Sequence, residues 1–226
     1  MILCKYQKKS AAVYTPHLAF MRGVTMAIRR AGLQIGYSEG FNPHPLIYFA
    51  PPTPVGTASE CEYFSAVSSE SPEIFMEKLN KTLQPSVEIL KVSAAVVNPN
   101  FAHIAFAAEY EIDFEKAIEL PSLQEILKAQ NYFITYEQKG ETVSKDARPL
   151  IHDLKGSGKT YLFTLASGNP NLRADRLMNQ LLKAAGQEGA YYSVTKKRTF
   201  AKDFQDFDAL FFKETSELDE KQTTNK

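Results

Sequence analysis

The stretch that decides the fold is Tyr37–Glu62, which reads YSEGFNPHPLIYFAPPTPVGTASECE. It holds five of the twelve prolines of the chain, a density that rules out a helix and that a central strand tolerates poorly. The apolar run Leu46–Ala50 in its middle predicts one short buried strand. Its aromatic side chains argue against disorder, and an ordered loop of this length usually serves a site. We therefore expect a structured loop that feeds the central strands and carries function.

The segments on either side of this stretch predict an alternation of strands and helices. Alternating residues predict a strand over Ile2–Tyr6. A helix follows, with Thr15 as N-cap, Pro16 at its first position and Gly32 just past its end. The next elements are a strand, a helix and a strand, at Glu62–Val67, from Ser71-Pro72, and over Val87–Val92.

The second half of the chain repeats this order of elements. Strands are predicted at Ile104–Phe114, Tyr132–Gln138, Thr160–Ala166 and from Tyr192, and helices at Leu123–Gln130 and Arg173–Ala185. Both halves follow β-α-β-β-α-β, so the predicted fold class is α+β, with two tandem ferredoxin-like modules. The modules span 1–98 and 101–212, with the turn-forming Asn98-Pro99-Asn100 between them. Residues 213–226 are polar and charged and predict a disordered tail.

Composition narrows the class of protein rather than its activity. The chain is 44% hydrophobic and 23% charged with a formal net charge of zero, so any basic surface that attracts nucleic acid must be local. Cys4 and Cys61 are predicted to be buried reduced thiols, and two distant cysteines suit neither a metal site nor an iron–sulfur cluster. No apolar run suits a signal peptide or a membrane span. We expect a cytoplasmic protein with no metal, no cofactor in this chain and no membrane contact.

One short motif resembles the end of a phosphate-binding loop without meeting its requirements. Gly156-Ser157-Gly158-Lys159-Thr160 lacks the glycine that the motif needs earlier, because that position is Asp153. A strand is also predicted after it, where a phosphate-binding loop requires a helix. We interpret the segment as a hairpin turn.

Three arginines of the predicted first helix are the strongest candidates for binding an anion. Arg22 and Arg29 lie seven residues apart and nearly in line, with Arg30 beside them. Three guanidinium groups on one face could bind RNA phosphates. The alternative is a solvated helix surface on which Arg29 or Arg30 pairs with Glu39 or Glu60.

Two further groups extend this hypothesis. Lys196-Lys197-Arg198 could add a second basic patch, although lysines at a strand edge also discourage aggregation. Tyr37, Phe41 and Tyr48, near the basic helix, could stack on RNA bases or belong to the core.

Among the four histidines, His17 and His44 are the candidates for acid/base chemistry. His17 falls in the first turn of the first helix, on its apolar side, where a packing role is the usual one. His44 is flanked by Pro43 and Pro45, which would fix its backbone for contact or catalysis, or for a structural hydrogen bond. If the two histidines converge, acid/base chemistry on an RNA 2′-hydroxyl becomes conceivable.

The chain resembles a bacterial family of unknown function, domain of unknown function 2344. The resemblance lies in the segments Arg29–Leu33, Tyr37–Pro45, Pro54–Gly56, Ser59–Tyr63, Asp146–Ile151 and Arg198-Thr199, and in His17-Leu18 and Met21-Arg22. Members are commonly fused behind, or encoded beside, a radical SAM protein. The resemblance therefore implies a radical SAM partner, which would be a separate polypeptide because this chain lacks the three closely spaced cysteines of that enzyme's cluster.

Three hypotheses follow from these observations. The leading one is a non-catalytic RNA-binding accessory module that acts with a radical SAM protein in RNA modification or processing. The alternatives are a metal-independent endoribonuclease of tandem ferredoxin-like type, using His17 or His44, and a protein-interaction adaptor for the radical SAM enzyme. The expected ligand or RNA contacts are Arg22, Arg29, Arg30, Tyr37, Ser38, Glu39, Phe41, Asn42, His44, Lys196 and Arg198. The roles of Asp146 and Arg148 are left open, and an internal salt bridge between them is the simplest interpretation.

Overall fold

A computed structural model describes residues 1–212 of the protein, so the predicted tail at 213–226 lies outside the described residues. The strands are β1 (Ile2–Lys8), β2 (Ile47–Phe49), β3 (Ala58–Ala66), β4 (Val87–Ala94), β5 (Ala107–Ile118), β6 (Phe133–Gln138), β7 (Glu141–Asp146), β8 (Ile151–Ala166) and β9 (Tyr192–Phe200). The α-helices are α1 (His17–Arg30), α2 (Pro72–Asn80), α3 (Phe101–Ile104), α4 (Leu123–Lys128), α5 (Ala174–Ala184) and α6 (Phe207–Phe211).

Seven of the strands form one sheet in the order β4-β1-β3-β9-β5-β8, with β2 attached to β3. The strands pair in antiparallel fashion, apart from the parallel contact of β3 with β9. Strands β6 and β7 form a separate two-stranded sheet. A mostly antiparallel sheet with helices confirms the predicted α+β class. The tandem ferredoxin-like arrangement and the boundary between 1–98 and 101–212 stay predictions, and β3 and β9 join these two parts in one sheet.

The helix termini show which capping predictions hold. The side chain of Ser71 accepts a hydrogen bond from the Ile74 backbone N–H at the start of α2, as the sequence predicted. Gly32 has φ of 65° just after α1, a conformation that glycine adopts without strain. The predicted Thr15 cap is wrong: α1 begins at His17, Pro16 occupies the cap position, and no side chain caps it.

Strand β9 begins at Tyr192 and β6 within one residue of the predicted start, whereas β5 and β8 begin at other places than the sequence predicted. The stretch before β5 is helical, because α3 buries Phe101 against Tyr63 and Phe207 on the far face of the sheet. The connection predicted before Thr160 contains β7 and the first part of β8.

The segment 156–160 reverses the direction of the chain, as the hairpin-turn interpretation expected, because His152 packs on Phe106 beside Ser167 and an added Cβ on Gly156 would lie 2.3 Å from the Thr160 carbonyl oxygen. It lies inside β8, where Gly156 and Gly158 have positive φ and the pairing with β5 shifts register. Strand runs on both sides of it, so the segment lacks the helix that a phosphate-binding loop requires.

Three apolar clusters hold the elements together. Helices α1 and α2 cover one face of the first half, where Cys4, Phe64 and Phe75 are fully buried. Helix α5 covers the second half over Ile112 and Phe163. The opposite face, reached by the next residues along each strand, is covered by α3 and α6. Both cysteines are free and buried, as predicted. Within residues 1–212, no helix is long and apolar enough to cross a membrane.

Candidate functional site

The outer face of α1 carries Arg22 and Arg29, both exposed and two turns apart. The opposite face buries Phe20, Val24 and Ile28 in the core, which fixes the orientation of the helix. The helix contains no acidic residue, and neither arginine forms an ion pair with any residue of the described chain. Two unpaired cations therefore point away from the core along one line.

Arg30 lies on a different side of the helix from these two. Its guanidinium donates to the backbone carbonyl of Thr82, at 2.7 Å, beyond the end of α2. The predicted face of three arginines is therefore wrong, because the 100° turn from Arg29 to Arg30 directs the second side chain toward α2. The alternative pairing with Glu39 or Glu60 is also absent from residues 1–212, and Glu60 instead accepts from Lys197 at 2.7 Å.

The loop Tyr37–Pro45 is closed on itself beside the C-terminal end of α1. Tyr37 and Pro45 form an isolated antiparallel bridge, which brings the two ends of the loop together. Inside it the Ser38 backbone N–H donates to the His44 carbonyl at 2.9 Å, and the His44 backbone N–H donates to the Ser38 hydroxyl at 3.0 Å. The Ser38 hydroxyl also lies 2.8 Å from Nδ1 of His44. The flanking prolines and these bonds make the loop a defined structure.

The tip of this loop presents an aromatic ring to solvent. Phe41 is fully exposed, and its neighbours Glu39 and Asn42 are exposed as well. Tyr37 and Tyr48 are each about half exposed. A large apolar side chain that packs on nothing in a closed loop is the kind of feature that marks a binding surface.

The loop and the helix meet at a shallow cavity of about 280 Å³. Arg29 and Thr25 line it from the helix, and Tyr37 and Pro45 line it from the loop. The structure thus brings Arg29, Tyr37 and the His44 loop together, with Arg22 further along the same helix. We call this set, Arg22, Arg29, Tyr37, Ser38, Glu39, Phe41, Asn42 and His44, the helix–loop surface.

The two candidate histidines do not share a site. His17 begins α1, and the His44 loop borders the helix at Arg29, twelve residues or about 18 Å along the axis. His17 is half-buried edge-on against Phe49, with ring centroids 5.9 Å apart. The two rings are therefore too far apart to act together as acid and base.

The basic residues of β9 are neutralised by carboxylates. Lys197 pairs with Glu60 at 2.7 Å and lies 3.7 Å from Glu111. Arg198 binds Glu109 through two hydrogen bonds of 2.9 and 2.8 Å. The predicted second patch at Lys196 and Arg198 is therefore not a free basic surface, because alternating glutamates on β3 and β5 match its charges.

Lys196 belongs instead to a buried polar cluster that sequence reasoning missed. Its side chain is 2% exposed and its Nζ lies 3.2 Å from Oε1 of Glu62, which is 3% exposed. The Ser59 hydroxyl donates to the same carboxylate oxygen at 3.1 Å. Lys8 is 6% exposed and pairs with Ser59 in the register of β1 and β3, while Ser59 pairs with Lys196 across β3 and β9. We call Lys8, Ser59, Glu62 and Lys196 the buried charge cluster.

The pKa values in this region follow from that arrangement. Burial lowers the pKa of Lys8, with Glu62 opposing the shift and Lys196 adding to it. Burial also works to lower the pKa of Lys196, but the nearby negative charge of Glu62 outweighs it and the pKa is raised. The pKa of His17 is lowered by burial, with Glu62 opposing the shift and Lys8 adding to it. A charged residue inside an apolar strand, as Glu62 is in β3, was the sequence signal.

Asp146 and Arg148 have structural roles without a direct salt bridge. The Asp146 carboxylate accepts from the Asn131 side chain at 2.8 Å and from the backbone N–H groups of Tyr132 and Arg148, which lowers its pKa. The Arg148 guanidinium donates to the carbonyls of Ile151 and Leu127. Together they fasten the β6–β7 hairpin to the chain around it.

Comparison with known protein families assigns this chain to one of them. Residues 1–185 match the family described as "Uncharacterized protein conserved in bacteria (DUF2344)". The chain belongs to this family. The resemblance read from the sequence motifs is thereby confirmed for the domain of unknown function, while the link to a radical SAM protein stays a prediction. No curated protein matches the chain.

Among solved structures, the chain is similar to one in "Crystal Structure of a Cbf5-Nop10-Gar1 Complex", with a TM-score of 0.45 and 9% sequence identity. The match covers 89% of this chain and 50% of that one, so this chain spans half the length of that relative.

Proposed function

We propose that this protein is a non-catalytic accessory module that binds single-stranded RNA through the helix–loop surface. The observation that carries the proposal is the fully exposed Phe41, at the tip of a closed loop whose base shares a cavity with the unpaired Arg29. Single-stranded RNA is recognised in general by aromatic stacking of splayed bases combined with cationic contacts to the phosphates. The helix–loop surface offers both.

The local charge supports an anionic ligand although the whole chain is neutral. Glu39 is the one acidic residue in 1–45, a segment with six lysines and arginines. Lys5 is held by Asp208, Lys8 is buried and Arg30 is bound to Thr82. Of the remaining three, Lys9 precedes α1, and Arg22 and Arg29 lie on its outer face. Arg29 lies in the last turn of α1, where its positive charge interacts favourably with the negative end of the helix dipole. This stabilising role leaves its guanidinium able to bind a phosphate.

Separate observations support the ferredoxin-like modules and the radical SAM partner. The order β4-β1-β3-β2, all antiparallel, supports a ferredoxin-like first module. In the second half β9, β5 and β8 take the corresponding places, with β6 paired to β7 instead of β8. The motif resemblance supports action beside a radical SAM protein on a separate chain in the cytoplasm, in RNA modification or processing.

Catalysis is not part of the proposal. The endoribonuclease alternative needed a paired acid and base, and His17 and His44 lie at opposite ends of α1. Incubation with structured RNA in EDTA should therefore leave the RNA intact, and cleavage that is lost in the His44→Ala variant would restore the enzyme alternative.

Removal of both free arginines tests the proposal. In the double variant Arg22→Ala/Arg29→Ala, we expect the affinity for single-stranded RNA to fall about tenfold or more, because two charge-assisted phosphate contacts are lost. The slope of log affinity against log salt should decrease by about 1.4, from the value per phosphate contact of about 0.7. Fluorescence anisotropy of a labelled RNA at several salt concentrations measures both.

The matched control is Lys116→Ala/Lys159→Ala, which removes the same charge from exposed positions of the second half. We expect this variant to bind RNA like the wild type. Equal losses in the two double variants, or no RNA affinity at low salt, would contradict the proposal. If RNA binding is absent and Phe41→Ala abolishes co-purification with a radical SAM protein, the surface serves as a protein adaptor instead.

A further inference from the structure

A small cavity separates the proline segment 51–54 from the start of α5. Its volume is about 230 Å³, smaller than most sites for whole ligands, which take roughly 300–1,000 Å³. Pro51–Pro54 form one wall, β5 contributes Tyr110, and the loop that follows β8 contributes Ser167, Gly168 and Asn171–Arg173. The cavity is therefore built from both halves of the chain, and its size suits a single chemical group.

Three hydroxyl groups line this cavity, and that of Thr53 is buried without a partner within residues 1–212. Thr53 is 7% exposed, and its hydroxyl is buried with no hydrogen bond. Tyr110 is 7% and Ser167 is 8% exposed, and neither side-chain hydroxyl makes a hydrogen bond within residues 1–212. A buried hydroxyl without a partner costs about 1–3 kcal/mol, so the Thr53 hydroxyl in the wall of this cavity indicates that a group inside the cavity satisfies it.

The cavity also opens on the N-terminus of α5, a helix of 11 residues. The residue before it, Arg173, provides no capping hydrogen bond, and its guanidinium instead binds the Asp175 carboxylate, at 2.9 Å from Nε. The first N–H groups of the helix are therefore left without a side-chain acceptor, and they carry the positive end of the helix dipole. Asp175 is the acid nearest this end, and Arg173 neutralises it.

The groups around the cavity are donors at neutral pH. Burial raises the pKa of Tyr110 to about 12, with Lys196 opposing the shift, so its hydroxyl keeps its proton. Tyr110 pairs with Lys196 in the register of β5 and β9, so the cavity lies next to the buried charge cluster. Hydroxyl donors and helix N–H groups together favour an oxyanion.

We propose that this cavity is a phosphate-binding site formed by Thr53, Tyr110, Ser167 and the N-terminus of α5. The bound group is either inorganic phosphate or the phosphate of a nucleotide whose remaining atoms extend to solvent. The proposal does not rest on RNA binding by the helix–loop surface, because the two sites share no residue.

Titration with inorganic phosphate, adenosine 5′-monophosphate and adenosine tests the proposal, by calorimetry and by the amide NMR signals of residues 174–176. We expect both phosphate compounds to bind and to shift those amides, and adenosine to do neither. Equal affinity for the two would assign the site to inorganic phosphate, and tighter binding of the monophosphate would assign it to a nucleotide. Absence of phosphate binding, or binding that leaves residues 174–176 unperturbed, would overturn the proposal.

The Thr53→Val variant keeps the shape of the side chain and removes its hydroxyl. We expect about tenfold weaker phosphate binding from the loss of one charge-assisted hydrogen bond, together with a higher unfolding temperature without phosphate because an unpaired hydroxyl is gone. Ser93→Ala is the matched control, since the Ser93 hydroxyl is also buried without a partner but lies on β4, outside the cavity. It should gain stability and keep the phosphate affinity. Unchanged affinity in both Thr53→Val and Ser167→Ala would contradict the assignment.

Discussion

Replacement of Glu62 by alanine is expected to destabilise the protein by about 3–5 kcal/mol, the usual cost of removing one partner from a buried ion pair. Glu62 is the one carboxylate in contact with Lys196 inside the described chain, and the nearby Lys8 is 94% buried as well (6% exposed). Without it, two buried ammonium groups face each other with no negative charge between them. Equilibrium unfolding in urea, followed by circular dichroism, measures the loss.

The control for this variant is Glu60→Ala, on the same strand and two residues away. Glu60 also pairs with a lysine, Lys197, but its side chain is 49% exposed, so we expect a loss within about 1 kcal/mol. Equal losses in the two variants would show that the buried charge cluster is not a low-dielectric site.

The pH dependence gives a second check on the same variant. Lysines whose folded pKa is lowered bind fewer protons in the folded than in the unfolded state, so stability rises with pH up to the unfolded value of about 10.4. The deficit of Glu62→Ala relative to wild type should therefore shrink as the pH rises from neutral toward that value. A deficit that stays constant or grows would contradict this explanation.

The Gly156→Ala substitution is expected to cost on the order of 2–4 kcal/mol, because strained backbone and a steric clash combine. Gly156 has φ of 112°, which an alanine adopts only with strain. An added Cβ would also lie 2.3 Å from the Thr160 carbonyl oxygen and 2.7 Å from the Tyr161 Cα. Both are backbone atoms of β8, so the strand itself would have to move. Thermal or urea unfolding measures the effect.

The Gly23→Ala substitution is expected to change the stability in the opposite direction from Gly156→Ala. Gly23 lies within α1 and nothing lies within 4 Å of an added Cβ, so alanine should stabilise the helix by about 0.5–1 kcal/mol. A similar change in stability for the two substitutions would mean that the turn at 156–160 is not as tight as the structure has it.

The local elements of the fold were largely predictable, whereas their long-range partners were not. Periodicity and capping chemistry placed α2 from Ser71 and ended α1 at Gly32, because these signals act within a few residues. The pairing of β6 with β7, instead of with β8, is made by the two-residue turn Lys139-Gly140, whose φ values are 53° and 81°. This turn is a local signal that the sequence analysis did not use.

The candidate site was predictable to the same extent. The proline-bounded loop around His44 follows from composition, because prolines restrict the chain locally. The exposure of Phe41 does not, since its sequence neighbours suited a core position equally well. The pairing of Lys197 and Arg198 with glutamates could not be predicted, since Glu60, Glu109 and Glu111 come from strands far apart in sequence. The burial of Lys196 could not be predicted for the same reason, since it depends on the parallel contact of β3 with β9, which places Lys196 beside Glu62.

The central claim is that the helix–loop surface binds single-stranded RNA, and mapping of amide NMR shifts during an RNA titration tests it most directly. The account predicts shifts confined to residues 22–29 of α1 and 37–45 of the loop, which weaken at high salt. Lys197 and Arg198 should stay unperturbed, because carboxylates already occupy them. Shifts centred on β9, or no shifts at low salt, would contradict it.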